Sequence, residues 1–389
     1  MTSAEFVEDE EPPDEVVDDE SEIDDRTLVE TGPSSLPYFG ADFDVSGLVR
    51  RLNEKDIVIP RFDPDESGGT TLEGFQRQRV WTTSRMERFI ESLLLGWPVP
   101  SIFLVLEPDQ RYLVLDGQQR LTTLQAFYSG KYPDGKDFIL KDVAPHLQDA
   151  TYATLSNESR RRLNNTFIQA VIIEPAGDAG RDAVYRLFGR LNSGGVQLTA
   201  QEIRVALYRG PLVNFIRELN HDRSWRDLFG STHKKLKDHE LILRALAMRD
   251  VLAKVADQWT DDRRRIEAYR PPMAQFLNSY LEHHNDLKTL DTAALQNAFS
   301  TACATIVEAV GRDGLKYAGR LNAAHVDALL GSMLYLLTHG SNLSRDVVEE
   351  AIKSLRSDRQ YFHFVSTSTS HRDSVYGRLQ LAYRALTSE

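Results

Sequence analysis

The chain has 389 residues, 41% hydrophobic and 27% charged, the make-up of a globular protein too long for one hydrophobic core. No apolar run approaches the ~20 residues needed to span a bilayer, the acidic N-terminus has no secretory apolar region, and the single cysteine, Cys303, cannot form an internal disulfide; together these predict a cytoplasmic protein. The net charge of −12 is local, because residues 1–30 hold 14 acids against Arg26 alone and leave 44 acids and 45 bases in a near-neutral body.

Residues 1–33 read as an acidic tail with too little apolar content to fold. Its bland reading is a solvated arm; its functional one is competition with nucleic acid for a basic groove. Pro33 and Pro37 bracket an irregular lead-in, followed by an amphipathic stretch over Val45–Leu52. Ile57–Val58–Ile59, ended by Pro60, reads as a strand, and the glycine-bearing Asp63–Gly74 as a loop. Ser84 is placed to cap a helix whose Met86, Phe89, Ile90, Leu93 and Leu94 recur at three-and-four spacing, with Gly96 as its stop and Pro98 and Pro100 beyond. Ile102–Leu106 and Tyr112–Leu115 read as paired strands. A helix follows at once, with Leu121, Leu124, Phe127 and Tyr128 on one face. Phe167–Ile173 is apolar enough for an interior strand. From Arg181 onward the pattern is helix after helix, and Thr199 and Glu202 have capping-box spacing. The expected organisation is a tail over 1–33, an α+β domain over 34–178 and an all-α domain over 179–389.

Three runs carry polar chemistry. Asp116–Gly117–Gln118–Gln119–Arg120 opens a helix directly after a strand. Unpaired N–H groups at a helix N-terminus suit an anion, and Gly117 lets a phosphate approach the backbone. Arg120 can grip phosphate oxygens in two places, and Asp116 can hold a divalent cation or orient water. The same five residues also read as a plain turn, with Asp116 as N-cap and Arg120 in a salt bridge. The second run, Phe75–Gln76–Arg77–Gln78–Arg79–Val80–Trp81, can clasp a phosphate and stack a base, or bury its aromatics and solvate its arginines. The third, Phe188–Gly195 followed by Leu198–Thr199, Gln201–Glu202 and Arg204, is largely a glycine helix stop and a capping box, but that leaves Arg190, Asn192 and Arg204 unexplained. No Walker-type phosphate loop, paired-cysteine metal motif or H-E-x-x-H is present. His283–His284–Asn285–Asp286 stands within helical periodicity and reads as structural.

Taken in order, F-Q-R-x-x-V-W, I-E-S-L-L-L-G-x-P-x-P, L-D-G-Q-Q-R-L-T-T-L and F-x-R-L-N-S-G-G-x-x-L-T-x-Q-E-x-R closely resemble the N-terminal, S-subunit domain of the GmrSD-type modification-dependent restriction family. The likeness runs from about Val45 to Leu207. It implies a ParB/sulfiredoxin-like fold, and binding and hydrolysis of an NTP with Mg²⁺, coupled to recognition of modified DNA in anti-phage defence; the motifs do not distinguish ATP, GTP, CTP or UTP. On that basis Asp116, Gln119 and Arg120 are expected to be catalytic, with Asp116 also the metal ligand. Gln76, Arg77, Gly117, Gln118, Arg190 and Asn192 are expected to bind nucleotide, and Arg120 to face solvent or ligand. The expected partners are DNA, a nuclease subunit in trans and a further copy of the chain. The nuclease is expected in trans because fused members carry an HNH-like domain that the helical region here does not suggest. Asp63–Gly74, which separates Ile59–Pro60 from the Q-R motif, departs from the family pattern. The rival readings are a ParB-like DNA-binding module that uses nucleotide as a switch, an endonuclease acting alone, and an adaptor in which D-G-Q-Q-R is only a cap.

Overall fold

A computed structural model describes residues 36–60, 81–191, 198–257, 259 and 261–387. The acidic tail and the Q-R motif therefore lie outside the described residues. Gly32–Leu207 and Tyr208–Glu389 form two compact units.

The first unit is built on a mixed five-stranded sheet. Its strands are β1 (Tyr38–Asp44), β2 (Ile57–Val58), β3 (Ile102–Leu106), β4 (Tyr112–Asp116) and β5 (Phe167–Ile173), in the spatial order β1-β5-β3-β4-β2. β3 lies parallel to β5 and antiparallel to β4, so β5 is interior as its composition predicts. Side chains alternate between the two faces of each strand. Ile102, Leu104, Val114, Ile168, Ala170 and Ile172 point to one face. There they meet α1 (Val45–Glu54), α2 (Thr83–Leu95), α3 (Gln118–Ser129) and α4 (Asn157–Asn165). Val105, Leu113, Leu115 and Ile173 point to the other face, against α5 (Gly177–Leu191) and α6 (Ala200–Leu207).

Several boundaries differ from the sequence expectation. β1 lies between the Pro33–Pro37 lead-in and the Val45 helix, in residues the sequence reading assigned to no element. It pairs with β5 more than a hundred residues away, a long-range event that its local composition does not announce. The α2 cap is Thr82, whose hydroxyl accepts from the Arg85 N–H; Ser84 instead hydrogen-bonds Asp142. The first unit continues past residue 178 because α5 and α6 cover the second face of its sheet. Gly96 does end α2, in a left-handed conformation (φ 74°), and the Thr199–Glu202 capping box forms, with Glu202 Oε2 accepting from the Thr199 N–H at 2.7 Å.

The second unit is helical apart from a short hairpin, Lys316–Tyr317 with Arg320–Leu321. Its helices are α7 (Pro211–Asn220), α8 (Arg223–Phe229), α9 (Lys237–Val255), α10 (Asp262–Ala268), α11 (Met273–His284), α12 (Thr292–Val310), α13 (Ala323–Thr338), α14 (Arg345–Ser357), α15 (Arg359–Ser366) and α16 (Arg372–Thr387). α9 and α13 are buried nearly all round, as expected of central helices. A fully buried ionic clamp joins three helices. Asp327 on α13 accepts from Arg244 on α9 (Nη2, 2.8 Å) and from Arg378 on α16 (Nε, 2.9 Å). Cys303 is buried, which pushes its thiol pKa up. His284 sits between Thr289 (2.6 Å from Nδ1) and Asp250 (3.4 Å from Nε2), and burial holds its pKa below the usual histidine value.

Candidate functional site

β4 ends in Asp116 and α3 begins at Gln118, so the D-G-Q-Q-R run is the strand-to-helix turn itself. Gly117 makes that turn in the left-handed region, at φ 95° and ψ 9°. A Cβ there would come within 2.5 Å of Ile102 Cγ2, on the neighbouring strand. Glycine is thus required twice over, for backbone conformation and for contact with β3. No side chain caps α3, and Leu121 is the first residue whose N–H bonds back, to the Gly117 carbonyl at 3.0 Å. The N–H groups of Gln118, Gln119 and Arg120 have no acceptor among the described residues. They form the positive end of a 12-residue helix, the kind of place where backbone geometry and helix dipole both favour an anion.

Arg120 is the main correction to the sequence reading. It does not face solvent: 8% of its surface is exposed, and its guanidinium folds back behind the turn. Nη1 donates to the Pro100 carbonyl at 2.7 Å and Nη2 to Asp116 Oδ2 at 2.5 Å. The local reading of Arg120 as a salt-bridge partner is correct, whereas Asp116 is not an N-cap. Residues four apart meet on a helix face, and here the pair spans the turn. Asp116 remains partly open, with 43% of its side chain exposed and Oδ1 without a partner among the described residues.

Gln119 is also engaged: its Oε1 accepts from the Trp81 N–H at 3.0 Å. Trp81 packs edge-on against Phe89, with Arg85 over its ring at 4.7 Å. Gln118 is half-buried, and its side-chain amide has no hydrogen-bond partner among the described residues. Arg190 lies in the last turn of α5, which packs across β4 on the opposite face from α3. Gln76, Arg77 and Asn192 lie outside the described residues. The structure thus joins Asp116, Gly117, Gln119 and Arg120 in one bonded turn and shows no bond from Arg190 to it.

Groups outside the D-G-Q-Q-R run complete the turn. Pro100 supplies the carbonyl, Ile102 the wall beneath Gly117, and Trp81 the amide held by Gln119. The G-x-P-x-P spacing was the available signal for Pro100. α2, which connects Trp81 to Pro100, is braced by Glu87. That buried carboxylate accepts from the Tyr132 hydroxyl (2.7 Å) and from the N–H groups of Lys141 (2.8 Å) and Asp142 (2.6 Å). Burial, then the bond to Glu87, pushes the Tyr132 pKa up.

A separate shallow hollow lies at the hairpin end of β3 and β4, lined by Leu106, Pro108, Leu113, Pro175, Val184 and Leu207. It sits at the opposite end of β4 from Asp116, about 14 Å along a five-residue strand. It belongs to neither the turn nor its anion site. Among the described residues, no group of three His, Cys, Asp or Glu side chains is placed to hold a metal ion. No helix among them is long and apolar enough to cross a membrane.

The family described as GmrSD restriction endonuclease, N-terminal domain, matches residues 54–209. The match ends within two residues of the boundary between the units and contains the whole turn. No curated protein and no solved structure matches the chain.

Proposed function

We propose that the GmrSD-type N-terminal domain over residues 54–209 is the NTP-binding sensor of a modification-dependent DNA restriction system, and that the turn after β4 is where it takes the nucleotide. The observation that carries this reading is the uncapped start of α3. Three N–H groups without acceptors among the described residues follow Gly117 at the start of that helix. The phosphates are bound by those N–H groups and the Gln118 amide. Arg120 contributes positive charge from behind and holds the turn in shape, so it is a positioning residue before it is a phosphate ligand. Gln76, Arg77, Arg190 and Asn192 are assigned to the same pocket by the resemblance alone.

The Mg²⁺ that the family implies fits one way. Asp116 alone cannot make a protein-built site, and Arg120 already draws on its charge. Magnesium often binds through one carboxylate and the substrate's own phosphates, and Asp116 Oδ1 can serve as that carboxylate. When bound, the ion would neutralise phosphate charge. Hydrolysis would break the bond between the γ-phosphorus and the β-bridging oxygen, with water as nucleophile and Asp116 as its hydrogen-bond acceptor. We assign DNA cleavage to a nuclease partner, on the resemblance alone.

A second reading has a specific observation behind it. Asp116 and Gln119 are both held by neighbours, so the turn is better prepared to bind than to turn over. In that case the nucleotide is a switch. The test is phosphate release from each of the four NTPs by the purified chain with Mg²⁺, with and without modified DNA, beside a binding measurement. Release that falls in Gln118→Ala supports hydrolysis at this turn. Binding without release supports the switch. No binding of any NTP refutes both.

A further inference from the structure

Among the described residues β1 is an edge of the sheet, with β5 as its one strand neighbour. Its register runs unbroken from Tyr38 opposite Ile173 to Asp44 opposite Phe167. The bonds at its two ends, Glu174 N–H to the Pro37 carbonyl and Val45 N–H to the Thr166 carbonyl, both at 3.0 Å, set the odd-numbered residues in the ladder with β5. Alternate residues of an antiparallel strand aim their N–H and C=O groups the other way. Tyr38, Gly40 and Asp42 therefore present a row of outward backbone donors and acceptors.

Soluble proteins blunt such an edge with proline, lysine, a bulge or short length. The opposite edge, β2, is short, at two residues. β1 is seven residues long, contains neither proline nor lysine, and has no bulge. Tyr38 is 72% exposed and Phe39 43%.

We infer that β1 pairs antiparallel with β1 of a second copy about a two-fold axis at Ala41, joining two sheets into one of ten strands. Outward residues must face outward residues, which restricts the registers. Centring on Asp42 sets that carboxylate against itself, and centring on Phe43 sets Asp42 against the partner's Asp44. Centring on Gly40 leaves Phe43 and Asp44 opposite residues that precede the strand. Centring on Ala41 pairs all seven residues. Phe39 then meets the partner's Phe43, Gly40 meets the partner's Asp42, and Tyr38 meets the partner's Asp44, with no like charges opposed. Cross-strand aromatic pairs are among the favourable ones, and small residues at the axis let the backbones close. The near-palindrome Phe39–Gly40–Ala41–Asp42–Phe43 suits a copy of itself better than an unrelated strand.

Light scattering on the full chain should show a concentration-dependent species of twice the 44.1 kDa chain mass. Asp42→Pro removes an outward N–H without touching the β5 ladder and should leave a monomer of unchanged circular dichroism. Ala41→Cys reads the register independently. Cys303 is buried, and residues facing each other at a non-hydrogen-bonded antiparallel position lie within disulfide range. Oxidised Ala41→Cys should run as a covalent dimer, and Gly40→Cys, displaced from the axis, as a monomer. A wild-type chain that stays monomeric at every concentration overturns the inference. So does a dimer that survives Asp42→Pro and is not captured by Ala41→Cys.

Discussion

Arg120 reaches back across twenty residues to the Pro100 carbonyl, and that 2.7 Å bond, with its partner bond to Asp116, makes the D-G-Q-Q-R arginine part of the scaffold. Pro100 leads directly into β3, whose Ile102 lies under Gly117. The turn is thus closed from below by packing and from behind by charge, and its open side is the start of α3.

Arg120→Ala should therefore lower stability as well as nucleotide binding. It removes a charge-assisted bond from the Pro100 carbonyl and leaves Asp116 without its cation, a loss of about 1–3 kcal/mol. Arg120→Lys keeps the charge but not the fork that serves Pro100 and Asp116 together, and should recover only part of it. Urea unfolding of both variants checks this. An Arg120→Ala midpoint equal to wild type would show that the bonds contribute nothing.

Gly117→Ala should be worse than a typical glycine substitution. The left-handed conformation alone costs a side chain about 1–2 kcal/mol, and the contact with Ile102 adds to it. Ile102 is fully buried, so Ile102→Ala has a cavity cost of its own, about 2–5 kcal/mol. The double variant should therefore lose less than the sum of the two single losses, because the steric share is relieved. Additive losses in thermal unfolding would place the whole cost of Gly117→Ala in the backbone.

Asp327→Ala should unfold or severely weaken the helical unit. It leaves two fully buried guanidinium groups without their common carboxylate, and breaking a buried pair in this way costs about 3–5 kcal/mol. Unfolding followed by far-ultraviolet circular dichroism should show an early transition involving most of the helix. A single transition at the wild-type midpoint would count against the clamp.

His325 gives a pH dependence with a defined sign. It is fully buried, with Nδ1 2.8 Å from the Tyr361 hydroxyl and Nε2 3.3 Å from the Gly314 carbonyl, and burial pushes its pKa down to about 4. Above the unfolded value of about 6.5 both states are neutral and the group leaves stability unchanged. Below it the unfolded chain takes the proton first, so stability falls as pH drops from 6.5 towards 4, by about 2 kcal/mol at pH 5. Its ring resonances should not titrate between pH 8 and 5.5 in the folded protein. A midpoint near 6.5 would show that the ring is open to water.

Much of the turn was readable in advance because its signals are local. An apolar run stops at Asp116–Gly117 and a 3.6-residue pattern starts in the next residue. Arg120's burial was not readable, since its acceptor is a main-chain carbonyl twenty residues away and no sequence marks a carbonyl as free. Gln119 is similar: its partner is the Trp81 amide, which any residue but proline would offer. β1 escaped notice because Gly40 and Asp42 weaken its strand character, and pairing with β5 supplies what composition lacks. The reach of the first unit to Leu207 escaped for another reason. Periodicity shows that α5 and α6 are helices, but not which core they cover.

The Asp327 clamp also constrains the order of assembly. Gly32–Leu207 holds every strand of its sheet and both helical layers, so it can close while the rest of the chain is still being synthesised. The helical unit cannot. Arg378 sits on α16, more than fifty residues after Asp327's own helix begins, and until it arrives Asp327 has only Arg244 to answer it. Ribosome-bound chains stopped short of α16 should therefore carry a protease-resistant first unit joined to a digestible second one, and nascent chains that include α16 should resist throughout.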